Sequence, residues 1–325
     1  VGPPLHIVAT YPAAGEGLEC GLDSPESCGV PRDAQLELRF DRYLEPTTAV
    51  RQSIKVYTGS EDLGVFTQPE YDVVERVLSF RLPEGTLLGS GVRYTVELLS
   101  AESRDEYGFR AFDGAPLREA DVPLKFDFRT NEVPPPAPTR RGARRKVSCD
   151  QALGRMALAG CAGKTCHNSF GSPDCPTGHG RDSTGKCISV PRMGLDLRDR
   201  KGLLGTAIGH VAHQTETGPK TGTPLTDPER FGTAMPVIDA FRPENSYLMY
   251  KILRNPRNYL ETSVGCSTVH RVPLPDGVCP EPSAEESARL REWFVRGEPM
   301  PLGASAVAIN PRAIQDWIRQ GASCP

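Results

Sequence analysis

Hydrophobic and polar residues alternate in short runs over residues 1–130: Leu36-Glu37-Leu38-Arg39-Phe40, Ile54-Lys55-Val56-Tyr57, Tyr94-Thr95-Val96-Glu97-Leu98 and Leu124-Lys125-Phe126-Asp127-Phe128. A period of two puts successive side chains on opposite faces of a strand, so each run predicts an apolar face turned inward and a charged face turned outward. The runs are separated by turns, and their spacing predicts an antiparallel all-β sandwich.

After residue 146 the alternation gives way to helical spacing between long loops rich in Gly, Pro and Cys. A helix is predicted over 149–160, with Leu153, Met156 and Ala157 on one side. Ser283 with Glu286 forms a capping box ahead of Leu290, Trp293 and Phe294. Asn310-Pro311 opens a last helix that ends at Gly321 and carries Ile314, Trp317 and Ile318 on its apolar face. Between the two patterns, residues 131–146 hold Pro134, Pro135, Pro136 and Pro138, which favour an extended polyproline conformation, followed by Arg140, Arg141, Arg144, Arg145 and Lys146. The expected organisation is therefore a β-sandwich over 1–130, a Pro/Arg-rich linker over 131–146 and an all-α domain with long disulfide-bonded loops over 147–325. The basic end of the linker is either a solvated spacer or a dock for an acidic partner or lipid headgroups.

Composition narrows the partners. A chain of 325 residues has room for two cores, and a net charge of -3 gives no global field toward nucleic acid. No apolar run is long enough to span a bilayer, so no transmembrane segment is expected. The opening residue Val1 suggests a processed start, with an export signal removed or a lipid-anchoring cysteine upstream. Ten cysteines, several in close pairs, point to an oxidising compartment. Pairing close neighbours gives Cys20–Cys28, Cys175–Cys187 and Cys266–Cys279, and leaves Cys149 to join Cys324.

The remaining pair stands in the run Cys161-Ala162-Gly163-Lys164-Thr165-Cys166-His167. Covalent haem attachment needs two thiols to add to the vinyl groups, and a His beside the second thiol to reach the iron. Cys161, Cys166 and His167 supply all three, although four residues separate the cysteines where the usual run has two. Other readings of the same residues are a small disulfide with an incidental His, or part of a zinc site that would still need a fourth ligand. Ser/His/Asp, phosphate-loop and dinucleotide fingerprints are missing from the chain, and no enzyme activity is expected.

Two resemblances add to this reading. Residues 5–130 resemble a bacterial immunoglobulin-like domain through Pro12 and Gly15, Val30-Pro31, Phe40-Asp41-Arg42, Glu45-Pro46-Thr47, and Leu88 with Tyr94-Thr95-Val96. Residues 149–323 resemble the planctomycete-type cytochrome c domains of exported bacterial proteins, myxobacterial ones included. The landmarks are Cys166-His167, Gly194-Leu195-Asp196-Leu197-Arg198, Met235-Pro236-Val237, the run from Pro243 to Ile252, Met300-Pro301, and Trp317-Ile318-Arg319-Gln320-Gly321-Ala322. That second resemblance implies one covalent haem c held by Cys161 and Cys166, with His167 and Met300 as axial ligands and Trp317 walling the pocket.

Met235 and His270 are the alternatives to Met300 on the iron, a His there giving a lower potential. His210 and His213 read as loop histidines, with a ligand role as their alternative. The expected function is outer-sphere electron transfer to a redox partner protein, in the periplasm or at the outer-membrane or cell surface of a Gram-negative bacterium. Two rival readings stay open. One is a haem-free, disulfide-rich binding or structural protein with a degenerate cytochrome fold. The other is a haem enzyme such as a peroxidase, which would need an open distal site.

Overall fold

The computed structural model describes residues 2–20, 28–59, 61–62, 68–103, 106–134, 146–158, 161, 195–212, 235–260, 270–274, 281–293, 295, 300 and 308–325. The chain divides into two units. The first comprises Val1–Ala143, Glu229–Phe231 and Cys266–Pro280, and the second Arg144–Pro228, Gly232–Gly265 and Glu281–Pro325.

Among the described residues of the first unit, eight strands pair antiparallel into two four-stranded sheets. They are β1 (Ile7–Tyr11), β2 (Leu36–Phe40), β3 (Ile54–Thr58), β4 (Glu61–Asp62), β5 (Gln68–Asp72), β6 (Val77–Arg81), β7 (Arg93–Leu98) and β8 (Lys125–Arg129). One sheet runs β1-β2-β6-β5 and the other β4-β3-β7-β8. The predicted runs became β2, β3, β7 and β8, and in β3 and β7 the burial follows the period of two. Their inward residues Leu36, Leu38, Phe40, Val56, Val96 and Phe128 are fully or almost fully buried. Phe40 tilts against Phe109 with ring centroids 5.6 Å apart, and Tyr94 stacks on Phe128 at 5.4 Å. Two buried ion pairs tie loops to this core, Arg42–Asp113 at 2.8 Å and Arg110–Glu45 at 2.9 Å. The Cys20–Cys28 disulfide closes a short loop beside Gly17, where an added Cβ would lie 2.6 Å from the Arg129 carbonyl oxygen.

One expectation is corrected here. Glu37 and Arg39 alternate with the core residues of β2 and were expected on a charged face in water, yet all five residues of the strand are buried. The cause is a distant piece of chain, residues 270–274, which lies on the outer face of this sheet through hydrogen bonds to Glu37 and Arg39.

The described helices of the second unit are α1 (Cys149–Leu158), α2 (Arg200–Thr206), α3 (Tyr247–Leu253), α4 (Arg257–Leu260), α5 (Ala284–Trp293) and α6 (Pro311–Arg319). Their ends are set by local side chains. Ser148 Oγ accepts from Gln151 N while Gln151 Oε1 accepts from Ser148 N, a reciprocal box at the start of α1. Ser283 Oγ accepts from Glu286 N ahead of α5, and Asn310 Oδ1 accepts from Ala313 N with Pro311 opening α6. Asp199 caps α2 through Gly202 N, and that hydrogen bond, with Arg198 nearby, holds its carboxyl below the usual range.

Helix α6 packs against both α1 and α3 and buries Ile314, Trp317 and Ile318. It stops at Gly321, whose φ of +95° suits glycine, and where a Cβ would meet the Phe241 ring at 2.7 Å. The Cys149–Cys324 disulfide joins the start of α1 to the chain beyond α6. No helix among the described residues is long and apolar enough to cross a membrane.

Candidate functional site

Three of the residues singled out for haem lie among the described ones. Cys161 is buried three residues after α1, its N–H donating to the Met156 carbonyl at 2.9 Å. Met300 is held through its backbone: its N–H donates to the Lys251 carbonyl of α3 at 3.2 Å, and its carbonyl accepts from Asn258 Nδ2 at 3.1 Å. Trp317 is 1% exposed on α6, and its indole N–H has no hydrogen-bond partner among the described residues. Cys166 and His167 lie outside the described residues, as do the expected pairs Cys175–Cys187 and Cys266–Cys279. The pairs Cys20–Cys28 and Cys149–Cys324 are disulfides.

A residue that sequence reasoning passed over organises this region. Asn258 in α4 is fully buried. Its Nδ2 donates to the Ile252 carbonyl at 2.8 Å and to the Met300 carbonyl at 3.1 Å, and its Oδ1 accepts from Ile309 N at 2.9 Å. Both donors and the acceptor are engaged. The opposite amide orientation would set oxygen against two carbonyls, so the assignment is forced by the network. The side chain thus ties α3 to both ends of the 300–309 stretch. A single Asn carries no periodicity or spacing signal, which is why the pattern along the chain did not mark it.

The Trp317 indole N–H is one of several buried polar side-chain atoms without a partner among the described residues. A buried N–H without an acceptor costs roughly 1–3 kcal/mol, and an acceptor on a bound molecule would relieve that cost. Met235, one alternative iron ligand, is buried, with its carbonyl accepting from Ala212 N at 2.9 Å. His210 is exposed, in keeping with a surface loop.

His270, the other alternative, sits elsewhere, in the first unit. Strand register explains how its partners converge. On the outer face of the β1-β2-β6-β5 sheet, Arg39, Val77 and Asp72 form one cross-strand row, and Glu37, Ser79 and Glu70 the next. After Asp72 the chain turns tightly, Asp72 Oδ1 accepting from Val74 N and Glu75 N, which brings Glu75 beside Arg39. Arg39 donates to the Glu75 carbonyl at 2.9 Å and to its Oε2 at 3.2 Å.

Onto this surface comes the His270 segment. His270 Nε2 lies 3.0 Å from Asp72 Oδ2 and Nδ1 lies 3.5 Å from Glu37 Oε1. Glu37 Oε2 also accepts from the backbone N–H groups of Arg271 at 2.6 Å and Val272 at 2.8 Å. Arg39 Nε donates to the Pro273 carbonyl at 3.0 Å. The Arg271 guanidinium reaches the Tyr11 hydroxyl and lies over its ring, 5.2 Å from the centroid. Burial disfavours charge on the imidazole, but hydrogen bonds to Asp72 and Glu37, with Glu75 nearby, outweigh it and raise the His270 pKa to about 9.

Asp72, Glu75 and His270 bring possible metal-ligand atoms within 4.8 Å of one another. Their chemistry at neutral pH is that of a charge lock. An imidazolium has no lone pair to give, Arg39 holds Glu75, and Asp72 accepts from two backbone N–H groups and from His270. No pattern along the chain signals this cluster, because His270 and Asp72 stand 198 positions apart and Val272 and Glu37 stand 235 apart.

No protein-family model matches the chain, and no curated protein matches it. Solved structures of the bacterial S-layer protein SbsC are similar over part of their length. The N-terminal part of SbsC aligns with TM-score 0.27 and 12% identity, over 42% of this chain and 25% of that one. The S-layer protein rSbsC(31-844) gives 0.25 and 12%, over 46% and 17%, and SbsC domains 1-6 give 0.26 and 12%, over 45% and 16%. This chain therefore spans a quarter or less of those structures, and likeness at this level says nothing about its function.

Proposed function

We propose that this chain is an exported monohaem c-type cytochrome that transfers electrons by an outer-sphere route. Cys161 and Cys166 would hold the haem covalently, and His167 and Met300 would be its axial ligands. The observation that carries the reading is the buried arrangement around α6. Cys161 is buried at the end of α1, α6 packs on α1 with a disulfide joining their outer ends, and Met300 is pinned by its own N–H and C=O. The Trp317 N–H adds a buried donor with no hydrogen-bond partner among the described residues.

In this reading the first unit is an immunoglobulin-like sandwich. Supporting it, the orders β1-β2-β6-β5 and β4-β3-β7-β8 correspond to strands A-B-E-D and C′-C-F-G of that fold. The Tyr94 hydroxyl, near the start of β7, accepts from Gly89 N at 2.7 Å, a backbone tie like the tyrosine corner. The two disulfides support folding in an oxidising compartment.

When bound, the haem would supply a one-electron ferric–ferrous couple. The protein's own work is to keep geometry constant between the two states: α1 and α6 are cross-linked, and the backbone of Met300 is restrained at two atoms. A Met300 thioether would favour the reduced state and raise the potential relative to a second imidazole, and the two backbone hydrogen bonds of Met300 would help hold the residue in place.

The test is expression in a host with haem c maturation machinery, followed by acid-acetone extraction. Colour that stays with the protein pellet is expected. A colourless protein would overturn the proposal and favour the haem-free binding or structural reading.

A further inference from the structure

We propose that the outer face of the β1-β2-β6-β5 sheet is a peptide-binding site that reads a basic His-Arg-Val-Pro sequence, and that its occupant is the chain's own segment from His270 to Pro273. This needs nothing from the haem reading. The segment and the face both lie in the first unit, yet the chain on either side of Cys266–Pro280 belongs to the second. The segment therefore comes to the sandwich as an internal ligand, with partners that stand 198 to 260 positions earlier in the chain.

Each contact reads a different feature of the segment. Glu37 Oε2 accepts from two successive backbone N–H groups, of Arg271 at 2.6 Å and of Val272 at 2.8 Å, which fixes the course of the main chain. Arg39 reads the carbonyls of the same stretch, donating from Nη2 to Val272 at 3.4 Å and from Nε to Pro273 at 3.0 Å. Asp72 and Glu37 hold the imidazole, and Tyr11 takes the Arg271 guanidinium through its hydroxyl and its ring. Val272 is 2% exposed and adds an apolar anchor. Among the described residues no strand pairs with this segment. A strand added to a sheet edge is held mainly through main-chain hydrogen bonds, which carry little sequence information. Here side chains do the reading.

Charge matches as well. The face presents the carboxylates of Glu37, Asp72 and Glu75 with Arg39, and the segment brings His270 and Arg271. Glu37 and Arg39 are buried because the segment covers them, although they stand on the outward side of β2. On undocking they return to water instead of staying buried without partners, so the face can be emptied and refilled.

The test uses the full chain with His270→Gly, Arg271→Gly and Val272→Gly, which empties the face, and a fluorescein-labelled peptide carrying residues 268–276. By fluorescence anisotropy at about pH 6, where the imidazole is protonated, the peptide should bind this chain about tenfold or more tighter than the unsubstituted one, whose face is filled by a tethered segment. Adding Glu37→Gln should weaken binding by about tenfold, because the charged acceptor of two N–H groups is lost. A peptide of the same composition in scrambled order should also bind about tenfold more weakly. Equal affinity for the emptied and unsubstituted chains, no loss on Glu37→Gln or on scrambling, or no binding to the folded, emptied chain would overturn the proposal. If the triple variant does not fold, His270→Gln replaces it. Several millimolar peptide should then displace the weakened segment and speed amide exchange at Arg271 and Val272 by about tenfold, and unchanged exchange would overturn the site.

Discussion

Docking of residues 270–274 on the sandwich should weaken as pH rises, because His270 is held as a cation between buried carboxylates. His270 is buried against Asp72 and Glu37, its side chain 4% exposed. Its pKa rises from 6.5 to about 9 on docking. A group whose pKa is raised in the folded state binds its proton more tightly there, so its contribution is complete below 6.5 and is lost as pH climbs through about 9. That rise corresponds to roughly 3 kcal/mol, or two to three orders of magnitude in an opening equilibrium.

Once the imidazolium loses its proton, Glu37, Asp72 and Glu75 lose one of the buried positive charges beside them, and Arg39 stays on Glu75. The backbone N–H groups of Arg271 and Val272 donate to Glu37, so they report opening directly. Amide hydrogen exchange, corrected for the intrinsic effect of pH, should show their protection falling about tenfold per unit between pH ~6.5 and ~9. Below that window it should level off. In His270→Gln the profile should be flat. Protection that does not change with pH in the unsubstituted protein, or an identical slope in His270→Gln, would refute the charge-lock reasoning.

Other outcomes follow from buried features. Asp113→Ala strands Arg42 without its 2.8 Å partner and should cost about 3–5 kcal/mol, read as a lower urea midpoint of the first unit; a loss below about 1 kcal/mol would mean that water reaches the guanidinium. Replacing Cys149 and Cys324 by Ser opens a cross-link between positions 175 residues apart, and a thermal melt should register a loss on the order of 5 kcal/mol if chain entropy dominates. Trp317→Phe removes only part of the ring and an N–H that has no partner among the described residues. In haem-free protein it should therefore cost far less than Trp317→Ala, expected at about 3–5 kcal/mol by calorimetry; equal losses would show that the indole N–H has an acceptor.

Some of this molecule could be read directly from its pattern. The alternation in Ile54–Thr58 and Arg93–Leu98 sets which side chains enter the core, because a strand's two faces are assigned by local geometry alone. Caps at Ser283 and Asn310 are equally local, since a helix end is satisfied by residues within one turn. Strands β1, β5 and β6 were not evident. Val77–Arg81 is buried at four of its five positions and so departs from simple alternation, and Gln68–Asp72 has a proline within it.

What the chain alone determined was therefore the β-rich character of the first unit and the ends of several helices, and two of the expected cysteine pairs formed disulfides. Tertiary structure decided the rest. Glu37 and Arg39 look like solvent-facing strand residues until His270 and its neighbours cover them, and nothing within a strand's length announces a partner more than two hundred positions away. Asn258 is likewise an ordinary polar residue until folding brings three backbone groups to its amide. The physical reason is common to both. Periodicity records which way a side chain faces, whereas the desolvation and hydrogen bonding that give it a role depend on what the fold lays across that face.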